Sequence, residues 1–156
     1  LMIKINVLVS NKRWKKYINS PKTYINKKLT LLNKGDFFLK KKQIYLSLLL
    51  SGSKEIKSIN KKFRKKNKIT DVLAFPFYEK KEINKFFKKK ISFYLGDIII
   101  NLDKITEKSK EKKIVKIKFD KLWIHGLAHL LGFRHKSNKD YIKMKKIEKN
   151  FFKLVN

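Results

Sequence analysis

The sequence predicts an α+β fold on three observations. Short apolar stretches of strand character stand apart from longer stretches of helical spacing, the two kinds do not alternate strictly, and 156 residues with 42% apolar content suffice for one moderate core. No internal repeat and no Pro-, Gly- or Ser-rich linker interrupts residues 1–156, whose only prolines are Pro21 and Pro76, so a single domain is expected.

The opening LMIKINVLVS alternates Ile3, Ile5, Val7 and Val9 with polar residues, the period of a half-buried strand. It has neither the long apolar stretch nor the small-residue cleavage site of a signal peptide. In residues 12–34, Trp14, Tyr17, Ile18, Ile25, Leu29 and Leu32 recur at helical spacing broken by Pro21, which predicts one or two helices. QIYLSLLL reads as a buried strand ending at Ser51 and Gly52. Ile56, Ile59 and Phe63 then share one face of a helix that Ser53 would cap, and Arg64 follows directly. TDVLAFPF is a strand stopped near Pro76; FYLGDIII is another, in which Gly96 predicts a bulge or a close backbone approach. Between them, the lysine-rich residues 80–90 are expected to form a mobile loop. Residues 102–113 read as a polar helix and 119–131 as an apolar central one. Beyond His135, the spacing of Tyr141, Met144, Ile147, Phe151, Phe152 and Val155 predicts a closing amphipathic helix.

Composition bounds the partners. Lys and Arg number 42 against 12 Asp and Glu, for a net charge of +30, a field that attracts polyphosphates and makes nucleic acid the natural partner. The excess is nearly all lysine, accompanied by Ile, Asn and Phe, whose codons are A/T-rich, so drift in base composition explains the charge equally well. Arginine occurs only as Arg13, Arg64 and Arg134. Apolar runs such as LSLLL and IIINL fall far short of the roughly 18 residues that read as a membrane helix, so no membrane partner is expected. The absence of cysteine excludes disulfides and thiolate metal sites, and is compatible with a reducing cytosol.

All three histidines fall within HGLAHLLGFRH, residues 125–135. His125 and His129, four apart, occupy one face of a helix a turn apart. Gly132 can take a left-handed conformation that ends the helix and brings His135 to the same point. Three nitrogen ligands with a fourth position open to water is the arrangement of catalytic zinc, whereas structural zinc is closed by four protein ligands. The spacing HxxxHxxGxxH is that of the metzincin peptidases, except that Gly126 stands where they carry the glutamate that serves as general base. No carboxylate adjoins it in sequence, which leaves Asp97 or Asp120 to arrive through the fold.

These residues carry a resemblance. HGLAHLLGFRH resembles the HGxLHLxGYDH of the YbeY endoribonucleases, LGDIII resembles their LGD strand, and TDVLAFPF resembles their TNVLSFPF. INKKFRKKNKITDVLAFPF also keeps the spacing between a family arginine and that strand, and the likeness runs in order through residues 56–150. The resemblance implies a small mixed sheet of about four strands packed with helices, and one Zn2+ per chain on His125, His129 and His135. It also implies an active-site role for Arg64, whose guanidinium can grip phosphate through two parallel hydrogen bonds. The implied activity is zinc-dependent endonucleolytic hydrolysis of single-stranded RNA in the cytoplasm, at the 3′ end of 16S rRNA and in ribosome quality control. Small-subunit rRNA and ribosomal proteins are the implied partners. The sequence departs from the family at Arg134 for an aspartate, Ala74 for a serine, Ile69 for a proline, and in a C-terminal helix that is lysine-rich where the family's is acidic. Two rival readings are a non-catalytic rRNA-binding assembly factor and a metallopeptidase, the latter weakened by Gly126. Phe77, Tyr78 and Tyr94 are candidates to stack on bases, although most aromatics of the chain fit a core equally well.

Overall fold

A computed structural model describes residues 2–34, 43–89 and 91–156. Strand β1 (Met2–Val9) leads through a short 3-10 helix (Lys12–Lys16) to helix α1 (Pro21–Lys34), then β2 (Gln43–Ser51), α2 (Ser53–Arg64) and β3 (Val72–Pro76). Helix α3 (Lys80–Lys89), β4 (Phe93–Asn101), α4 (Leu102–Thr106), α5 (Lys112–Leu130) and α6 (Asn138–Val155) complete the chain. The four strands form one sheet in the order β1-β2-β4-β3. β1, β2 and β4 are parallel, and β3 runs antiparallel to β4 along the edge. The result is the mixed four-stranded α+β architecture expected.

The two faces of the sheet differ. Ile3 and Ile5 of β1, Ile44, Leu46, Leu48 and Leu50 of β2, and Phe93, Leu95, Ile98 and Ile100 of β4 point into the main core, where α1, α5 and α6 supply Ile25, Leu29, Phe119, Trp123, Leu127, Met144, Ile147 and Phe151. Burying an aliphatic or aromatic side chain in such a core contributes about 1.5–3 kcal/mol. On the other face, α2 covers only a small cluster of Ile56, Leu73 and Ile99.

The expected break at Pro21 is present: the 3-10 helix ends before it, and Pro21 opens α1 at the first helical position, where its missing N–H costs nothing. Trp14 is fully buried against Phe119, and its Nε1–H donates to the Ser51 carbonyl. Gly96 satisfies both expectations made of it. The β2–β4 register shifts between Tyr45 and Leu46, and a Cβ at Gly96 would lie 2.2 Å from the Phe75 carbonyl oxygen.

Four expectations are corrected. Residues 80–89 are a helix rather than a mobile loop: Ile83 is buried and Phe86 and Phe87 pack on Phe93, an i, i+3, i+4 stripe hidden among lysines; residue 90 lies outside the described residues. The polar helix of 102–113 is only the short α4, after which the chain turns and begins α5 at Lys112, ahead of the expected start at 119. Ser53 does not cap α2. Gly52 holds the cap position, and the Asp103 carboxylate, reaching over from α4, accepts the Ser53 N–H at 2.8 Å. Finally, Phe63 and Tyr141 are 63% and 52% exposed rather than buried on their helices.

Candidate active site

Helix α5 presents its histidines at a point where its packing leaves no freedom. Its inner face is buried throughout, and at Gly126 it touches the sheet: a Cβ there would lie 2.8 Å from Ile98. The position following His125 therefore faces β4, and a glutamate placed at it would be driven into the core. A base of the metzincin type at that position would therefore not face the histidines' cleft.

The helix ends in a Schellman motif. The Phe133 N–H donates to the Ala128 carbonyl at 3.0 Å, the Gly132 N–H donates to the His129 carbonyl at 2.9 Å, and Gly132 sits at φ +85°, where other residues are strained. The turn has a second effect, for it brings the Phe133 carbonyl oxygen to 3.1 Å from His129 Nδ1. A carbonyl only accepts, so Nδ1 carries the proton and Nε2 keeps its lone pair. His125 is fixed the same way by Glu148 of α6, whose carboxylate lies 2.6 Å from Nδ1. The two Nε2 atoms then face each other at 3.1 Å.

Two lone pairs at that separation repel unless a cation lies between them. Nitrogens bound at about 2.0–2.1 Å to one tetrahedral ion are separated by roughly 3.3 Å, so the pair is spaced as metal ligands are. His135, exposed beyond the turn, completes a set whose ligand atoms all lie within 4.8 Å of one another. Burial, then the neighbouring His125, pushes the His129 pKa down to about 4, which keeps the imidazole neutral and able to ligate at physiological pH. Burial raises the Glu148 carboxyl, but hydrogen bonds from His125 and Lys145 outweigh it and hold the group below its ordinary value, as the carboxylate that orients His125. The donor set of this chain fits a metal ion.

The opposite wall is built from α2 and β3. A cleft of about 410 Å³ is lined by His125, His129 and His135 on one side and by Arg64, Thr70, Asp71, Val72, Ala74 and Pro76 on the other, with Arg134 and Lys136 at its rim. Lys65 takes a left-handed conformation at φ 57° and ends α2, leaving Arg64 at the helix end beside the cleft. Arg64, Arg134 and Lys136 thus line the cleft with one carboxylate, Asp71, a charge pattern suited to a phosphate.

Neither Asp97 nor Asp120 arrives. Asp120 is buried on α5 between Lys28, Tyr24 and Trp123, and Asp97 accepts the Tyr94 hydroxyl on the sheet face opposite α5. The carboxylates at the site are instead Glu148 and Asp71, neither singled out from the sequence. Glu148 carried one usable signal, as an acid isolated among the lysines of a helix that follows the histidines. Asp71 is tied to the start of β3 by the Val72 N–H, which it accepts at 2.8 Å.

Comparison with known proteins agrees with this geometry. The family model described as Endoribonuclease YbeY matches residues 8–156. A Pelagibacter ubique protein of that name is 46% identical over 99% of this chain and 97% of its own length, and one from Ehrlichia canis is 33% identical over 94% and 88%. A Thermotoga maritima protein solved in solution shares the fold, with a TM-score of 0.60 at 23% identity across 97% of this chain and 89% of that one. With both a family model and a full-length relative matching, the chain belongs to the YbeY family of metal-dependent endoribonucleases.

Proposed function

We propose that this protein hydrolyses phosphodiester bonds in single-stranded RNA, with one zinc ion on His125, His129 and His135 and with Arg64 gripping the scissile phosphate. Zinc bound there would supply Lewis acidity to the phosphoryl group. The residues around it divide the remaining work. Glu148 and the Phe133 carbonyl hold two imidazoles in one tautomer and one orientation, and Arg64 offers a planar fork of donors to charge that grows on the phosphoryl oxygens. Arg134 and Lys136 draw the strand to the cleft. The single observation carrying this reading is the convergence of three histidine nitrogens and Arg64 on one cationic cleft.

The resemblance and the family assignment support a finer reading: maturation of the 16S rRNA 3′ end and quality control of ribosomes in the cytoplasm, in contact with small-subunit rRNA and ribosomal proteins. Gly126, which leaves no glutamate beside His125, weakens the peptidase reading. The remaining rival is an assembly factor that binds rRNA without cutting it.

Metal content by mass spectrometry, alongside cleavage of a labelled RNA, tests the proposal. About one zinc per chain and metal-dependent cuts confined to single-stranded segments are expected. Binding without cleavage at any zinc concentration would favour the assembly factor. A substrate carrying one 2′-deoxy residue at the cut identifies the nucleophile. Continued cleavage to a 5′-phosphate means that water attacks, and lost cleavage means that the 2′-hydroxyl does.

A further inference from the structure

The edge strand β3 and the end of α2 each have a second side. Arg64 lines the cleft, and its neighbour Phe63 stands 63% exposed on the other side; Ala74 and Pro76 line the cleft, while Phe75 and Phe77 alternate to the opposite face of the sheet. The rings on that face form two contacting pairs. Phe63 meets Phe75 edge-on at 5.9 Å, and Phe77, itself 66% exposed, meets Tyr94 edge-on at 5.9 Å. Tyr94 is held in place by hydrogen bonds to Ser47 and Asp97, and Phe77 by its N–H on the Leu95 carbonyl. Exposing two phenylalanines is costly to solubility, and Phe63 and Phe77 lie outside the cluster on this face, which is Ile56, Leu73 and Ile99 with Leu49, Ile59 and Phe75 packed against them.

The charge beside these rings indicates what covers them. Residues 61–68, KKFRKKNK, are exposed throughout and carry six cations, none of them ion-paired among the described residues. Lys62 lies over the Phe63 ring, 5.2 Å from its centroid. Against this stands the Asp97 carboxylate, engaged by Tyr94. Aromatic faces interleaved with unpaired cations match a single nucleic-acid strand, whose bases stack while its phosphates follow the positive charge. Because β3 is the edge strand, a strand leaving the cleft crosses only that strand to reach the rings.

We propose that Phe63, Phe75, Phe77 and Tyr94 form a base-stacking platform for nucleotides flanking the scissile phosphate, with the cations of residues 61–68 tracking their backbone. The proposal rests on the reading of the cleft as the place where RNA is cut. It sets a substrate length, because a strand confined to the cleft gains nothing from the platform and a longer one does.

Binding to a fluorescein-labelled 12-nucleotide oligouridylate and to a trinucleotide, both with cleavage-resistant phosphorothioate linkages, tests this on the zinc-loaded full chain. The double variant Phe63→Ala/Phe77→Ala should lose about 10- to 100-fold in affinity for the 12-mer, as expected for stacking lost at one or two bases, and less than twofold for the trinucleotide. Phe63→Tyr/Phe77→Tyr should restore the affinity, and Phe63→Leu/Phe77→Leu should not, because leucine keeps the apolar area without a π face. Unchanged 12-mer affinity in the alanine variant, or leucine as effective as phenylalanine, would overturn the platform. So would a wild-type dimer that dissociates when the rings are removed, since the face would then join two copies. A 12-mer containing 4-thiouridine, cross-linked to the wild-type chain, should label Phe63 or Phe77; labelling confined to α5 and α6 would also reject the proposal. Because binding is read without cleavage, a protein that never cuts RNA would refute the proposed function and leave this result standing.

Discussion

The two walls of the cleft are built on different principles. The histidine wall is a single run of sequence, two of its histidines on a helix packed so closely on the sheet that a side chain at Gly126 would press on Ile98 and the third just past the helix end, and two of its imidazoles are anchored, one by Glu148 and one by a backbone carbonyl. The Arg64 wall is the exposed end of a helix and an edge strand, with long cations held by few partners. The difference follows the chemistry. A metal requires ligand atoms fixed to within tenths of an ångström before it arrives, whereas a flexible polyanion is gripped by side chains that adjust to it. The walls should therefore fail differently: one loses metal, and the other loses rate or affinity while keeping it.

The largest effect is expected from His129→Ala. Removing the central ligand leaves two, and both the zinc stoichiometry and RNA cleavage should fall to background. A variant retaining one zinc per chain would mean that the ion lies elsewhere. Next comes Gly126→Glu, which forces a carboxylate against Ile98. Overpacking and a buried charge together should cost roughly 3 kcal/mol or more, read as a shifted urea midpoint, and casein should remain uncut. Peptidase activity in that variant would show that the position faces the cleft after all.

Glu148→Gln sharpens the comparison without breaking the wall. The amide can still meet His125 but not as an anion, and zinc affinity measured against a competing chelator should fall about 10- to 100-fold. On the opposite wall, Arg64→Lys should leave zinc content unchanged and slow cleavage roughly 10- to 30-fold, the loss of one charge-assisted hydrogen bond. If zinc fell too, the two walls would not be separable. The smallest effect concerns the anchor of α2. Burial raises the Asp103 carboxyl, but the Ser53 N–H and Arg13 outweigh it and hold it below its ordinary 3.8. That stabilisation is complete above 3.8 and is lost as pH falls through the folded-state value. Asp103→Asn should therefore cost less than about 1 kcal/mol at pH 7 in thermal melts, and it should flatten the acid limb of the stability profile.

What could be seen in the sequence follows from the range of the interactions concerned. The strands β1, β2, β3 and β4 were legible because each buries residues in a simple pattern, and the run from His125 to His135 was legible because helical periodicity and one glycine turn bring those residues together. Helix α3 is hidden in the sequence because Ile83, Phe86 and Phe87 are scattered among lysines, and the packing of Phe86 is decided by Phe93 and Tyr78 rather than by neighbours in sequence. The cap of α2 escaped notice for the same reason, since its acceptor lies 50 residues away.

The sequence by itself thus determined the α+β composition, the clustering of three histidines that could hold a metal and the absence of thiolate chemistry, because these rest on residue identity and on contacts within a few turns of chain. Only the tertiary structure decided which carboxylate orients His125, that the position after it faces Ile98 rather than the cleft, and that Arg64 stands across the cleft from the histidines while Phe63 and Phe77 stand outside it. Those outcomes depend on how α2, β3, α5 and α6 pack on one sheet, and side chains far apart in sequence meet only when the burial of that core brings their elements together.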